Sequence, residues 1–174
     1  MSPSRPRLLT EQCSTCVFRP GNLMHLREGR LHDLVNENLR AGAALTCHQT
    51  LSYGEHPDFG EAVCRGFYDA VGPRSQIVRI VERLGGYDEV PPPGTVAVKI
   101  ENSYVCGRES ESVVTVPAPA DDDTEFVDWW SEHVHDLTGD GHPCGESEHA
   151  LYEVTIVASV ERPELVGETY SWEG

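Results

Sequence analysis

Four cysteines in the first half of the chain have the residue type and spacing of a metal site. Cys13 and Cys16 form a C-x2-C pair, Cys47 follows after thirty residues, and Cys64 follows after sixteen more. A C-x2-C turn holds two thiolates close together, and four thiolates complete the tetrahedral shell of Zn²⁺, with no position left for water or substrate. The spacing therefore predicts one structural metal site, and zinc is the metal that we expect.

Three other interpretations of these cysteines stay open. The same four thiolates could bind a [4Fe–4S] cluster, because both centres use four cysteines and the spacing does not separate them. A C-x2-C pair alone could be a redox dithiol, although no thioredoxin-like βαβ pattern surrounds it. Unrelated buried thiols are the last alternative, since cysteine is among the residue types most often buried.

Two neighbouring residues could support the cysteines. His48 directly follows Cys47, and it could replace a cysteine as a ligand or, as we favour, pack or hydrogen-bond beside the ligands. Arg19 lies three residues after Cys16, where a cation would lower the thiolate pKa and offset the negative charge of a zinc tetrathiolate. A surface arginine without such a role is an equal alternative.

The distribution of apolar residues in the sequence indicates the cellular compartment of the protein. The N-terminus has no apolar stretch long enough for a signal peptide, and no stretch of the chain is apolar and long enough to span a membrane. We therefore expect a cytoplasmic protein, in which thiols stay reduced and metal binding is a better expectation than disulfides. Lys99 is the only lysine, against twelve arginines, which is typical of a high-GC genome.

Charge divides the chain into two halves. The formal charge is −16, but residues 1–92 hold ten arginines against eleven acidic residues, whereas residues 93–174 hold three basic and eighteen acidic residues. A surface as acidic as the second half repels nucleic acid and anionic membranes. This asymmetry favours two modules, and the Pro91–Pro93 run followed by Gly94 supplies the break between them.

The pattern of apolar residues predicts an α+β fold on both sides of this break. Residues 1–90 are expected to form a small, mainly helical four-cysteine module, with a mobile tail over 1–10 and helices over 26–40 and 75–84. Residues 95–174 are expected to form an acidic β-β-α-β-β module. Its predicted elements are strands 95–105 and 112–118, a helix from Asp121–Asp123 to about His133, a strand over 151–160, and a last edge strand after Pro163.

Several other side chains in the second half could have a role. The segment between His133 and His149 is rich in histidine and could form a second metal site. The spacing of its histidines and cysteine fits no metalloenzyme pattern, and we expect an ordinary polar surface there. Cys106 and Cys144 could form a disulfide, although we expect free thiols. Of Trp129 and Trp130, one is expected in the core and the other could contact a partner. The segment's candidate ligands are His133, His135, His142, Cys144 and His149.

Residues 13–67 resemble a widespread family of small, uncharacterised bacterial and bacteriophage proteins. That family has a C-x2-C-P-aromatic-R turn, a helix, a Cys-His dipeptide before a polar residue, and a C-small-G motif. Val17 stands where the family has proline and Arg65 where it has a small residue, but neither change removes a ligand. The resemblance implies one joint metal site in a phage-type protein, acting in the host cytoplasm if phage-encoded, and implies no function. The second half resembles accessory regions of actinobacterial phage proteins in its TGDGH and RPELVG stretches. The matching residues are Cys13, Cys16, Phe18, Arg19, Cys47, His48, Gln49, Cys64 and Gly66.

Three functional hypotheses follow. The first is a non-enzymatic zinc-binding protein whose acidic half binds a protein partner, in one version by imitating DNA; in a simpler version the charge only confers solubility. The second is an iron–sulfur redox or sensor protein. The third is a nucleic-acid-binding regulator that uses Arg5, Arg7, Arg19, Arg27 and Arg30. No catalytic triad, phosphate-binding loop or dinucleotide motif is present, so we do not expect an enzyme.

Overall fold

The chain folds into two compact units with an α+β composition. A computed structural model describes residues 5–120, 126–139 and 150–174. The units are Met1–Pro93 and Gly94–Gly174, so the division coincides with the end of the proline run. No helix in the described part of the chain is long and apolar enough to cross a membrane.

The first unit is built around two short parallel strands and three helices, counted over its described residues. Strand β1 pairs in parallel with β2, and Leu8 of β1 also bridges Val63, which in turn bridges Thr46. The loops that carry the later cysteines are therefore tied directly to the first strand. In chain order the elements are β1 (Arg7–Leu9), α1 (Arg30–Ala41), α2 (Arg65–Val71), α3 (Gln76–Arg83) and β2 (Asp88–Val90).

Three features of this unit differ from the sequence prediction. The expected mobile tail over residues 1–10 is wrong for β1, because Leu8 and Leu9 are 1% and 0% exposed and the strand is paired. Helix α1 begins at Arg30 and not at residue 26, because Asn22 closes a turn by hydrogen-bonding to both backbone groups of Leu26. Helix α2 was not predicted, since seven residues are too few to display a helical period.

The second unit has the predicted β-β-α-β-β order. Its described strands form one antiparallel sheet in the order β4-β3-β5-β6, with β6 at an edge as expected. The acidic residues 121–123 at the predicted helix start lie outside the described residues. The elements are β3 (Thr95–Tyr104), β4 (Glu109–Pro117), α4 (Phe126–His133), β5 (Ala150–Ala158) and β6 (Thr169–Glu173).

Alternation along the strands creates one buried face and one open face. The even-numbered residues Val96, Val98 and Ile100 of β3 are fully buried in a core that also contains Trp130 of α4. The odd-numbered residues of the same strands lie on the opposite face. Helix α4 therefore covers one side of the sheet and supplies its aromatic core.

The expectation that one tryptophan would be exposed for a partner is wrong. Trp129 and Trp130 are 8% and 1% exposed, and both belong to the core under the sheet. The indole N–H of Trp129 donates to the carbonyl of Pro117 at 3.0 Å, which satisfies its polar group. Both side chains stabilise the unit, and neither is available as a surface contact.

Candidate metal centre

The backbone of the first unit brings the four cysteines together. Cys13 and Cys16 lie in a turn closed by the Cys16 amide donating to the Cys13 carbonyl at 3.1 Å. The segments of the other two are paired, since the Cys47 amide donates to Ala62 and the Cys64 amide donates to Leu45, each at 2.8 Å. A short antiparallel pairing of these two segments, and not one of the predicted helices, therefore places Cys64 beside the other cysteines.

The four thiols form one buried cluster. Their exposed fractions lie between 1% and 4%. The sulfurs of Cys16 and Cys64 are 3.7 Å apart, and Cys13 hydrogen-bonds to the thiols of both Cys16 and Cys47. In a tetrahedron with Zn–S bonds of about 2.3 Å, neighbouring sulfurs are about 3.8 Å apart. The separation of the Cys16 and Cys64 sulfurs therefore matches that of two ligands of one tetrahedral ion.

Backbone amides surround the sulfurs with hydrogen-bond donors. Cys16 accepts from the amides of Phe18 and Gly66. Cys64 accepts from Phe67, and Cys47 accepts from the amides of residues 49 and 50. Cys47 and Cys64 also occupy the N-cap positions of a 3-10 turn and of helix α2, where the first backbone N–H groups of the following element point back toward them. Such donors stabilise the thiolate form, which is the form that binds metal.

The four cysteines fall into two pairs, one with a lowered pKa and one with a raised pKa. Hydrogen bonds from Cys13 and then Cys64 lower the pKa of Cys16 to about 2, and the hydrogen bond from Cys13 lowers the pKa of Cys47. Donating those hydrogen bonds, together with burial, raises the pKa of Cys13 and of Cys64. These shifts favour the thiolate form at Cys16 and Cys47 and the thiol form at Cys13 and Cys64.

His48 lies against this cluster. Its Nε2 is 2.9 Å from the hydroxyl of Thr15, and its Nδ1 is 4.0 Å from the sulfur of Cys13. Cys13, Cys47 and His48 place their ligand atoms within 4.8 Å of one another. Among the described residues this is the group of His, Cys, Asp or Glu ligand atoms that lie close enough together to hold a metal ion, and Cys16 and Cys64 form a close pair of sulfurs outside this group.

Two contacts lock the cysteine turn, and sequence reasoning did not find them. The first is the hydrogen bond between the side chains of His48 and Thr15. The second is a 3.2 Å hydrogen bond from the side-chain amide of Gln49 to the hydroxyl of Ser14. The residues between Cys13 and Cys16 are therefore paired with the two residues that follow Cys47. In the sequence, the only indication of these contacts is that polar residues directly follow both Cys13 and Cys47.

Arg19 binds the backbone of the cysteine turn and not its sulfurs. Its Nε donates to the carbonyl of Cys13 at 2.9 Å, and its terminal nitrogen donates to the carbonyl of Gln12 at 2.7 Å. These contacts fix the approach of the chain to Cys13. The expected offset of thiolate charge is not what its hydrogen bonds provide.

The histidines of the second unit are not brought together by the described structure. His133 lies beside Trp129, with ring centroids 6.0 Å apart, while His135 stacks on Trp172 at 5.3 Å. The other candidates, His142, Cys144 and His149, lie outside the described residues. Cys106 is exposed, and the expectation that it and Cys144 do not form a disulfide stays a prediction for the same reason.

Comparison with known proteins gives no match. No family model, no curated protein and no solved structure matches the chain. The resemblance of residues 13–67 to the bacterial and bacteriophage family therefore stays an expectation. The function of the chain has to be inferred from the geometry of its two units.

Proposed function

We propose that this is a non-enzymatic zinc-binding protein that acts by binding a basic protein partner. The observation that supports the zinc assignment is the convergence of four buried cysteines, Cys13, Cys16, Cys47 and Cys64, with the sulfurs of Cys16 and Cys64 3.7 Å apart. Four protein thiolates leave no coordination position for water or substrate, so the ion would stabilise the first unit and would not catalyse a reaction.

The spacing of the sulfurs also supports zinc over an iron–sulfur cluster. In a [4Fe–4S] cluster each cysteine binds a different iron, so the cluster separates the four sulfurs. The 3.7 Å separation of the Cys16 and Cys64 sulfurs leaves room for one ion and not for a cube of iron and sulfide. A redox or sensor function is accordingly the weaker alternative.

The contacts of the arginines do not support nucleic-acid binding by the first unit. Arg7 and Arg19 donate to backbone carbonyls, and Arg7 also lies over the ring of Phe59. Arg27 and Arg30 form ion pairs with Asp33 and Glu37. Side chains used in these ways are poorly placed to neutralise a row of phosphates.

The open face of the sheet in the second unit is the surface that we assign to the partner. Glu101 of β3 lies opposite both Glu111 of β4 and Glu153 of β5, so three carboxylates form a row across the sheet. Like charges placed opposite each other destabilise a sheet. Lys99 ion-pairs with Glu101 at 2.6 Å and also interacts with Glu111 and Glu153, so it is one cation beside three carboxylates of the row.

Apolar side chains accompany this acidic row. Val113 and Leu151 lie on the same face and are 60% and 46% exposed. A surface that combines apolar side chains with an excess of carboxylates suits an Arg- or Lys-rich segment of a protein, and imitation of DNA is one form of this. A surface that serves only solubility gains nothing from exposed valine and leucine.

Chelation tests the structural role of zinc with a built-in control. All three tryptophans, Trp129, Trp130 and Trp172, belong to the second unit. Removing the metal with excess EDTA should reduce the far-ultraviolet circular dichroism signal as the first unit unfolds, and should leave tryptophan emission unchanged. If EDTA changes neither signal, zinc does not hold the first unit together.

A charge-matched pair of triple variants tests the partner surface. Replacing Glu101, Glu111 and Glu153 by Gln should weaken binding of a synthetic Arg-rich peptide, and wild-type binding should weaken as salt rises from about 50 to about 300 mM. The control replaces Glu28, Glu55 and Glu61 of the first unit by Gln, which changes the net charge equally. Equal losses in the two variants, or wild-type binding insensitive to salt, would refute the assignment of this face.

A further inference from the structure

The metal centre has five donors where a tetrahedral ion takes four. Cys13 contacts both Cys16 and Cys47, Cys16 contacts Cys64, and His48 completes a close group with Cys13 and Cys47. The sulfurs follow one another in the order Cys47, Cys13, Cys16, Cys64. Cys64 lies beside Cys16, and His48 lies beside Cys13 and Cys47, so the thiol and the imidazole reach the cluster from different elements, and one of the five donors is in excess of a tetrahedral shell.

We propose that His48 is a reserve ligand that competes with Cys64 for the fourth position on the metal. Cys13, Cys16 and Cys47 would bind the ion in either case, and the fourth donor would be a thiolate or an imidazole. Tetrahedral zinc sites are built both from four cysteines and from three cysteines with one histidine. This inference rests on the proposed zinc site, because it concerns which residues hold that ion.

The orientation of the His48 ring carries this inference. Nε2 lies 2.9 Å from the Thr15 hydroxyl, and Nδ1 lies 4.0 Å from the Cys13 sulfur. A metal-binding histidine characteristically donates its second ring N–H to an oxygen acceptor, which fixes the ring and its tautomer. For a His48 that binds metal through Nδ1, the Thr15 hydroxyl is in place as that acceptor, and Nδ1 already faces the thiols.

Cys64→Ser removes the competing thiolate at little cost to the fold. Cys64 occupies the N-cap position of α2, where serine is among the preferred residues. The variant therefore keeps the start of the helix while it lacks the fourth sulfur. A complete reserve set of donors should keep the metal in the full-length chain.

Cobalt titration of four proteins tests the inference, with Co²⁺ as the probe because its charge-transfer absorption reports bound thiolates. Wild type and His48→Gln should both show a four-thiolate spectrum. Cys64→Ser should bind one Co²⁺ with a three-thiolate spectrum, and Cys64→Ser/His48→Gln should bind at least about tenfold more weakly. As a control, Cys64→Ser/His32→Gln, which changes an exposed histidine, should behave as Cys64→Ser does.

The outcomes separate this inference from the zinc site itself. If wild type binds no Co²⁺ or Zn²⁺, the metal centre and the reserve ligand both fail. If wild type binds metal but Cys64→Ser and the Cys64→Ser/His48→Gln variant bind equally weakly, only the reserve ligand is refuted. A Cys64→Ser chain that stays unfolded at saturating Co²⁺ refutes it as well, because His48 would then be unable to complete the shell.

Discussion

Gly66 lies so close to Cys16 that a β-carbon at position 66 would come within 2.8 Å of the Cys16 sulfur. The same β-carbon would lie 2.7 Å from the β-carbon of Phe18. The Gly66 amide donates to the Cys16 sulfur, so the close approach and the hydrogen bond belong together. Glycine is needed here because helix α2 begins against the cysteine turn, and not because of a left-handed backbone.

We expect Gly66→Ala to weaken zinc binding and to destabilise the first unit. The added methyl group must displace either the Cys16 sulfur or Phe18, and such overpacking typically costs about 1–3 kcal/mol. Zinc affinity, measured by competition with a chelator of known affinity, should fall by at least about tenfold.

Gly72→Ala is the matched control for this variant. Gly72 follows the end of the same helix, and a β-carbon there would meet its nearest atom, Val78 Cγ1, at an ordinary 3.5 Å. Gly72→Ala should therefore leave zinc affinity unchanged. If the two alanine variants weaken zinc binding equally, the close approach at Gly66 has no special role.

Zinc binding should release about two protons per chain near neutral pH. The pKa of Cys13 and of Cys64 is raised by the hydrogen bonds that they donate and by burial, so we expect both thiols to lose a proton when the metal binds. The hydrogen bonds that Cys16 and Cys47 accept lower their pKa and favour the thiolate before the metal binds. Protons thus compete with zinc, and the apparent affinity should fall by up to about a hundredfold per pH unit as pH decreases from about 8 to about 7.

Calorimetry in buffers of different ionisation enthalpy measures this number directly. The slope of the observed enthalpy against the buffer enthalpy gives the protons released. A slope near zero would mean that all four cysteines are already thiolates before the metal binds. A slope near four would contradict the stabilisation of the Cys16 and Cys47 thiolates.

Trp130→Ala should destabilise the second unit and leave zinc content unchanged. Trp130 is 1% exposed in the core under the sheet, and removing a buried tryptophan side chain costs about 3–5 kcal/mol. Thermal unfolding followed by the emission of the remaining tryptophans should shift to lower temperature. Val127→Ala is the control on the same helix, since Val127 is 59% exposed and should change stability little. Loss of zinc from Trp130→Ala would show that the two units do not fold independently.

The sequence predicted the second unit better than the first, for a physical reason. The strands of the second unit alternate over nine or ten residues, as between Val96 and Asn102, and neighbouring strands in the sheet are antiparallel. Strand β1 has three residues, and its place is decided by pairing with Asp88–Val90 far along the chain. Local periodicity holds no information about such a contact.

The metal centre was predictable in its ligand types but not in its surroundings. The C-x2-C spacing and the later Cys47 and Cys64 indicate four thiolates. The direction of the His48 ring depends on a hydrogen bond to Thr15, thirty-three residues earlier, which no local pattern encodes. Two adjacent tryptophans on one helix likewise gave no indication that both would be buried.

The central claim is that four cysteines hold one zinc ion, and metal analysis of the native protein tests it most directly. Elemental analysis and the absorption spectrum should be measured together on the same anaerobically purified sample. We predict about one zinc per chain in a colourless protein. A brown protein with iron and an absorption band near about 400 nm, or a folded protein without metal, would contradict the zinc assignment.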